Sequence, residues 1–472
     1  MAIREFTEIQ KTSYPDRKKD GSLYISRLFN ALREYQPHRV SGRVVKVVGI
    51  VVESSGPPAR IGELCCIYTS DQHPPIEAEV VGFQEGKTLL MALDDMTGIQ
   101  PGSTVVSTGK IPTAAVGKRL LGRVIDGLGN PLDNGGPIFG EERYPLFNVP
   151  PNPLDRMRIT EHLSLGVKAV DATTTCGKGQ RLGIFSGSGV GKSTLLGMFA
   201  RNTDADVNVI ALIGERGREV RDFIEKDLGP DGLKRSVIVV ATSDQAAIVR
   251  LRGAYLATTI AEYFRDAGCN VLLMMDSLTR FAMAQREIGL AIGEPPTTRG
   301  YTPSVFSAMP KLLERAGNSG SGSITGLYTV LVEADDMNEP ISDAARSILD
   351  GHIVLSRDLA MANHYPAIDV LASISRVMID VVDKNHLDAA SRLREALSIY
   401  KEASDLINIG AYVPGSNRKI DWARSIIDDI NKFLRQGITE KADYPTTVSV
   451  LNKLFGSLQE QDGKMGTDHE EI

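Results

Sequence analysis

From Arg39 onward the apolar positions follow three successive patterns. Between Arg39 and about Thr108, short β-branched runs (42–52, 76–81, 87–93) are broken by Gly and Pro, which predicts a small β-barrel. After the phosphate-type loop described below, near-continuous apolar runs at 207–213, 236–240, 271–275 and 326–332 alternate with helical spacing. Strands apolar on both faces and separated by helices predict a parallel sheet covered on both sides. From about Asp383 to Gln459 the β-signal fades, and amphipathic spacing at 389–409 and 420–434 predicts a helical C-terminal domain. Residues 111–180 join the first two patterns as a turn-rich connector that contains Pro150-Pro151-Asn152-Pro153.

The ends read differently. Residues 1 to about 20 are polar and expected to be mobile; Ser22 then offers an N-cap for a helix reaching about Gln36. Leu23, Leu28, Phe29 and Leu32 would form its apolar face, able to dock on a partner or on anionic lipid, or to pack on its own domain. The Gly-, Asp- and Glu-rich stretch 461–472 is expected to be disordered. The expected division is therefore 1–38, barrel 39–110, core 111–380 with its connector 111–180, helical domain 381–460 and tail 461–472.

Composition narrows the function. A chain of 472 residues, 42% hydrophobic and 24% charged, is that of a globular protein with two or three domains. A net charge of −6 argues against a dedicated nucleic-acid binder, and the barrel region has only Tyr68 and Phe83 as aromatics on which bases could stack. No apolar run reaches the roughly 18 residues of a membrane span, and the first thirty residues lack a signal-peptide core, so a cytosolic location is expected. Cys65, Cys66, Cys176 and Cys269 form no C-x-x-C pair and read as buried free thiols; the seven histidines show no metal-ligand spacing.

The candidate chemistry centres on Gly187-Ser188-Gly189-Val190-Gly191-Lys192-Ser193-Thr194, preceded by the apolar run 182–185 and followed by a helical pattern. Strand, glycine-rich turn and helix together make a phosphate cradle: backbone N–H groups converge on the anion and the helix presents its positive end. Lys192 would reach the β- and γ-phosphates, and the Ser193 hydroxyl would be a ligand for Mg²⁺. Serine stands at 186 where the full pattern has glycine. Asp276 ends the run 271–275, where ligands of such sheets bind, and can hold Mg²⁺ directly or through water. Glu215 follows the run 207–213 between Gly214 and Arg216 and can orient and polarise an attacking water.

With Gly214-Glu215-Arg216 and the loop, the run Ala261-Glu262-Tyr263-Phe264-Arg265-Asp266 resembles the catalytic subunit of rotary ATP synthases. The segments 293–306 (Gly293-Glu294-Pro295-Pro296 through Phe306) and 333–341 resemble, more closely, the flagellar protein-export ATPases and their sister ATPases of type III secretion injectisomes. That resemblance, over about 40–455, implies an α/β chain with an N-terminal β-barrel, a RecA-like P-loop core and a C-terminal helical domain, assembled as a homohexamer with ATP and Mg²⁺ between subunits. It implies catalytic roles for Glu215, Lys192 and Arg216, Arg376 reaching into the neighbour's site, Tyr365 on the adenine, and Tyr412 and Val413 closing that pocket. It also implies a regulatory stator protein, a central stalk protein, substrate–chaperone complexes and a membrane export gate as partners, with peripheral association at the inner membrane. The acidic helix hairpin by which the rotary subunit works its shaft is not evident. Against a protein-export ATPase stand a non-catalytic ring subunit, which usually lacks the carboxylate at Glu215, and an RNA-translocating helicase, disfavoured by the acidic charge.

Overall fold

Residues 42–52 do not form one strand: at Gly49 a φ of +56° turns the chain back, a conformation that costs glycine nothing. β1 (Ser41–Val48) and β2 (Val51–Ser55) pair antiparallel across that turn. With β3 (Leu64–Tyr68), β4 (Ile76–Gln84), β5 (Lys87–Ala92) and β6 (Thr104–Ser107) they close a barrel in the order β1-β2-β5-β4-β3-β6. The computed structural model describes residues 40–69, 74–332 and 336–456, so the expected helix at 22–36 and the tail lie outside the described residues. Alternation along the strands gives the barrel its own core of Val44, Val52, Cys65, Ile67, Ala78, Val80, Leu90 and Val105. Glu79 on β4 joins the barrel to the rest: its carboxylate accepts the Arg252 Nε–H at 2.7 Å, both side chains being buried. Burial pushes the Glu79 pKa up against the pull of Arg252.

The connector contributes a strand that its turn-rich sequence hides. β7 (Val124–Asp126) pairs parallel with β10 (Ser236–Ala241). The turn after it is made by Asp126, whose carboxylate accepts the N–H groups of Leu128 and Asn130 at 2.9 and 2.8 Å. The other main strands of the core sheet are β8 (Arg181–Ser186), β9 (Val207–Ile213), β11 (Asn270–Asp276), β12 (Ser323–Leu331), β13 (Gly351–Leu355) and β14 (Ile368–Ser375). They run in the order β14-β13-β8-β12-β11-β9-β10-β7, all parallel except β14, which pairs antiparallel with β13. Period-two alternation sends Phe185, Val209, Val239, Leu273 and Tyr328 to one face, where they pack with helix α2 (Ala247–Asp266). Ile184, Ile210, Ile238, Leu272 and Leu327 point to the other, against helix α1 (Lys192–Asn202). The continuous apolar runs of the sequence thus become strands buried on both sides.

Helix α3 (Leu278–Ala291) follows β11, and α4 (Lys384–Asn408), α5 (Arg418–Leu434) and α6 (Tyr444–Gly456) form the C-terminal bundle. α4 begins five residues before the apolar periodicity does, because Asp383 caps it by accepting the His386 N–H at 2.9 Å. Leu393, Ala396, Ile430, Phe433 and Leu451 bury the bundle on the α1 face of the core. Arg394 fastens α4 to the sheet edge by donating to the carbonyls of Val370, Ser373 and Thr173 at 2.6, 3.0 and 2.7 Å. A second tie is aromatic. His386 Nε2 lies 2.9 Å from the Ala172 carbonyl, which can only accept, so Nε2 carries the proton and Nδ1 is left to accept the Tyr444 hydroxyl at 3.3 Å. The Tyr444 ring in turn stacks on His162 at 3.9 Å between centroids.

Candidate active site

β8 ends at buried Ser186, and the chain then opens into the glycine-rich loop. Gly189 and Gly191 have φ values of +78° and +89°, so the left-handed turn that leads into α1 falls on residues without a Cβ. Val190 is buried in the core and anchors the loop, whereas Ser188, Gly189 and Ser193 are exposed at its mouth. Gly187 is buried and Thr194 half-buried. The Ser186 hydroxyl is buried without a hydrogen-bond partner. Lys192 is the first residue of α1 and sits where the helix presents its unpaired N–H groups.

Strand pairing brings the carboxylates to this loop. β9 and β11 are parallel neighbours with Leu212 opposite Asp276, so Glu215, two residues past β9, emerges beside Asp276. Gly214 allows that exit: it has a φ of +71°, and a Cβ there would come within 2.8 Å of the Arg280 side chain. The Lys192 ammonium bridges the two acids, at 2.5 Å from Asp276 Oδ1 and 3.3 Å from Glu215 Oε1. Asp276 Oδ1 also accepts the Thr329 hydroxyl at 2.7 Å, which fixes its orientation from β12.

The electrostatics follow from this crowding. Burial works against the charge of Lys192, but Asp276 and Glu215 outweigh it and raise its pKa. Glu215 is pushed up to about 7, first by burial and then by the charge on Asp276, with Lys192 pulling the other way. A carboxyl poised near neutrality is the condition for a general base at physiological pH. A hydroxyl at Ser193 and a carboxylate at Asp276 are hard oxygen donors suited to Mg²⁺, which is usually held by one or two protein groups together with substrate phosphates. Among the described residues no group of three His, Cys, Asp or Glu forms a dedicated metal cage.

The remaining expected residues separate. Tyr365 stands over the loop, its ring 3.6 Å from where a Gly191 Cβ would lie, and is 40% exposed. Arg216 points outward beside Glu219 at 3.5 Å. Tyr412 donates to the Asn417 carbonyl and the Asp421 carboxylate at 3.0 and 2.9 Å, and the Val413 carbonyl accepts from Ser416, so the hydrogen bonds of both stay local to the turn between α4 and α5. Arg376 is not brought to the loop. Ser375 pairs with Gly351 at the start of β13, and β13 runs parallel to β8, so Arg376 lies at the opposite edge of the sheet. Its guanidinium rests on the Arg346 carbonyl at 3.3 Å and is exposed.

Two neighbours of the site escape the sequence reading. Thr329 touches Asp276 across 53 positions of chain, a contact that no local pattern announces. Arg280, in the first turn of the helix behind Asp276, packs on Gly214 and keeps a buried Nε without a partner. An arginine one turn past a strand-end aspartate was the available signal.

Comparison with known proteins matches three stretches to family descriptions: 44–109 to the ATP synthase alpha/beta family β-barrel domain, 166–375 to that family's nucleotide-binding domain, and 382–453 to the T3SS EscN ATPase C-terminal domain. The chain is 55% identical to the flagellum-specific ATP synthase of Bacillus subtilis (strain 168), over 91% of this chain and 98% of that one. It is 51% identical to the type 3 secretion system ATPase of Xanthomonas euvesicatoria, over 88% and 93%. Among solved structures, the assembled ATPase EscN of the enteropathogenic E. coli type III secretion system superposes with a TM-score of 0.83 at 46% identity, covering 88% of this chain and 99% of that one. The same ATPase in complex with its central stalk EscO gives 0.81 at 45% identity, with the same coverage.

Proposed function

The chain belongs to the ATP synthase alpha/beta family, among the flagellum-specific ATP synthases and type III secretion ATPases, and from that premise we infer that it hydrolyses ATP to energise protein export through the flagellar secretion apparatus. The observation that carries the reading is the convergence of Lys192, Glu215 and Asp276 at the mouth of the glycine-rich loop. Loop N–H groups and Lys192 hold the β- and γ-phosphates, and Tyr365 packs on the adenine, with Tyr412 and Val413 closing the other side of that pocket. Mg²⁺, held through Ser193 and Asp276, supplies neutralisation of phosphate charge. Thr329 keeps the Asp276 carboxylate in place for that task. As the Lys192 ammonium turns to phosphate, Glu215 is left to orient the attacking water and take its proton. Arg216 stands at the rim beside this base.

Arg376 completes the site from a neighbouring subunit, which agrees with its place at the far edge of its own sheet. The working form is a homohexamer with nucleotide between subunits. It meets a central stalk protein, a regulatory stator protein and substrate–chaperone complexes, on the cytoplasmic side of an inner-membrane export gate. Among the described residues no helix is long and apolar enough to cross a membrane.

Two measurements test this. Specific ATPase activity, followed with light scattering, should climb with protein concentration as rings assemble; a monomer with concentration-independent activity overturns the assembly. A strain deleted for the gene should lose flagellar filaments and motility, regained with the wild-type gene and not with Glu215→Gln. Unimpaired filaments with loss of injectisome secretion instead would place the protein in the sister apparatus.

A further inference from the structure

Arg376 has an unusually built base. Its backbone N–H donates to the Asp350 carbonyl at 3.0 Å, an oxygen that also accepts from the Gln180 side-chain amide at 3.1 Å. That amide donates to Ser375 Oγ at 2.9 Å, and the Ser375 hydroxyl donates to the Thr175 carbonyl at 2.9 Å. Next to Asp350, Gly351 is so tightly packed that a Cβ would meet the Ile374 carbonyl at 2.4 Å and the Ser375 Cα at 3.0 Å. The backbone that presents Arg376 therefore has little freedom to shift by itself.

The Asp350 carboxylate faces the other way, onto the first residue of β8. It accepts Arg181 Nε and Nη2 in a two-pronged pair, each at 3.0 Å, and the Arg181 backbone N–H at 3.0 Å, while its own N–H donates to the Arg181 carbonyl at 2.8 Å. Glu314 holds the third guanidinium nitrogen at 2.5 Å. Planar, two-pronged pairs of this kind fix orientation as well as contributing energy. β8 runs from Arg181 to Ser186, five steps of about 3.3 Å, directly into the phosphate loop. One strand thus joins the loop of a subunit to the residue that grips that subunit's own Arg376.

We propose that Asp350 is a positioning residue for Arg376, and that the Arg181–Asp350 clamp on β8 ties the arginine offered to the neighbouring site to the nucleotide state of the subunit's own phosphate loop. The proposal rests on the reading of Arg376 as acting in trans. A phosphate loop that tightens on ATP pulls on β8, and the clamp passes that displacement to the base of Arg376.

The test is a double-mutant cycle on the full chain, with ring assembly checked by light scattering. Four proteins are compared by release of labelled phosphate from ATP: wild type, Asp350→Asn, Arg376→Ala and the double variant. Asp350→Asn retains the backbone carbonyl and the side-chain size but loses the ionic grip. It should lower kcat by about ten- to a hundredfold, with KM and binding of a fluorescent ATP analogue unchanged and the Hill coefficient for ATP reduced. In the Arg376→Ala background the same substitution should have no further effect, because residues acting as one unit are not additive. Asp350→Glu should recover part of the loss. An unchanged kcat and Hill coefficient in Asp350→Asn, or an equal fold-loss in both backgrounds, overturns the proposal. Near-normal turnover in Arg376→Ala overturns the trans-arginine reading itself, a distinct result. If Asp350→Asn does not form rings, Arg181→Lys, which retains the charge but loses the two-pronged grip, takes its place under the same criteria.

Discussion

The two edges of the core sheet are built on opposite plans. At the carboxyl edge the charged groups beside the loop are paired within the chain: Lys192 lies between Asp276 and Glu215, and Thr329 holds Asp276. At the amino edge the backbone is held as firmly, by Asp350, Gln180 and Ser375. The group it presents, the Arg376 guanidinium, nevertheless hydrogen-bonds among the described residues only to a main-chain carbonyl and is exposed. A rigid base under an underused cation is wasteful in an isolated subunit and economical in an assembly. A charge held over phosphate in a desolvated interface is worth far more than a surface ion pair, about 0–1 kcal/mol. The difference teaches where to look for a residue acting in trans: at a place where the backbone is over-determined and the side chain is not.

The hardest test of this contrast is Arg376→Ala. It should fold and bind ATP but lose about 10³–10⁵ in hydrolysis, the range for an arginine stabilising phosphoryl-transfer charge. Mixed with inactive Lys192→Ala subunits it should regain some activity, since mixed rings contain interfaces with an intact loop on one side and an intact arginine on the other. Absence of rescue, with mixed rings confirmed by mass, would move Arg376 out of the neighbour's site. At the other edge, Glu215→Gln retains size but not charge and should cost about 10²–10⁴ in kcat with nucleotide binding retained. Unlike Arg376→Ala, it should regain nothing when mixed with Lys192→Ala, because both defects lie in the same subunit's site; rescue here would erase the distinction between the edges. Tyr365→Ala should leave kcat nearly intact and raise KM, by the few- to hundredfold that loss of about 1–3 kcal/mol of base stacking allows. A fall in kcat alone would contradict its place on the adenine.

The smallest effect concerns pH. His386 and His162 have pKa values lowered, first by burial in both cases; for His162 the nearby Lys178 charge adds to it. The folded state therefore binds fewer protons than the unfolded one just below the ordinary histidine value of about 6.5. Stability is full above that value and falls as pH drops below it toward the lowered folded values. Protonating His386 Nδ1 removes the acceptor for the Tyr444 hydroxyl, a loss of about 1 kcal/mol. Hydrogen exchange between pH 7.5 and 5.5 should show α4 and α6 loosening and strands β9 and β10 unchanged. Glu215, pushed up to about 7, takes up its proton in the same range, so the glycine-rich loop responds on its own account. Uniform loosening of both edges would contradict the separation.

How much of this could be read from the chain depends on how local the determinants are. The phosphate loop, Glu215 and Asp276 were legible because strand, turn and helix follow one another within a few residues, and the carboxyl ends of parallel strands fall together by topology. Val124–Asp126 was hidden because a strand of three residues leaves no periodicity, and Asp126 makes its turn through side-chain acceptors. Thr329 was invisible because its contact depends on which strands are neighbours in the sheet, not on sequence spacing. Tyr365 and Arg376, eleven positions apart, reach opposite edges only because β14 reverses direction against β13, and apolar runs carry no sign of strand direction. Their roles came from resemblance to a family; their separation came from the structure.

The reversal of β14 has a consequence for symmetry. In the ring proposed for it, a subunit receives an arginine at one edge and offers its own at the other, a heterologous contact in which each of the two surfaces is used once. If the contact is head-to-tail in this way, an open run of subunits has one completed site fewer than it has members. Only closure on itself removes the idle loop at one end and the idle arginine at the other. Activity per subunit should therefore rise through every intermediate and reach its full value at the last addition, so the strand direction at one sheet edge sets when the assembly becomes fully active.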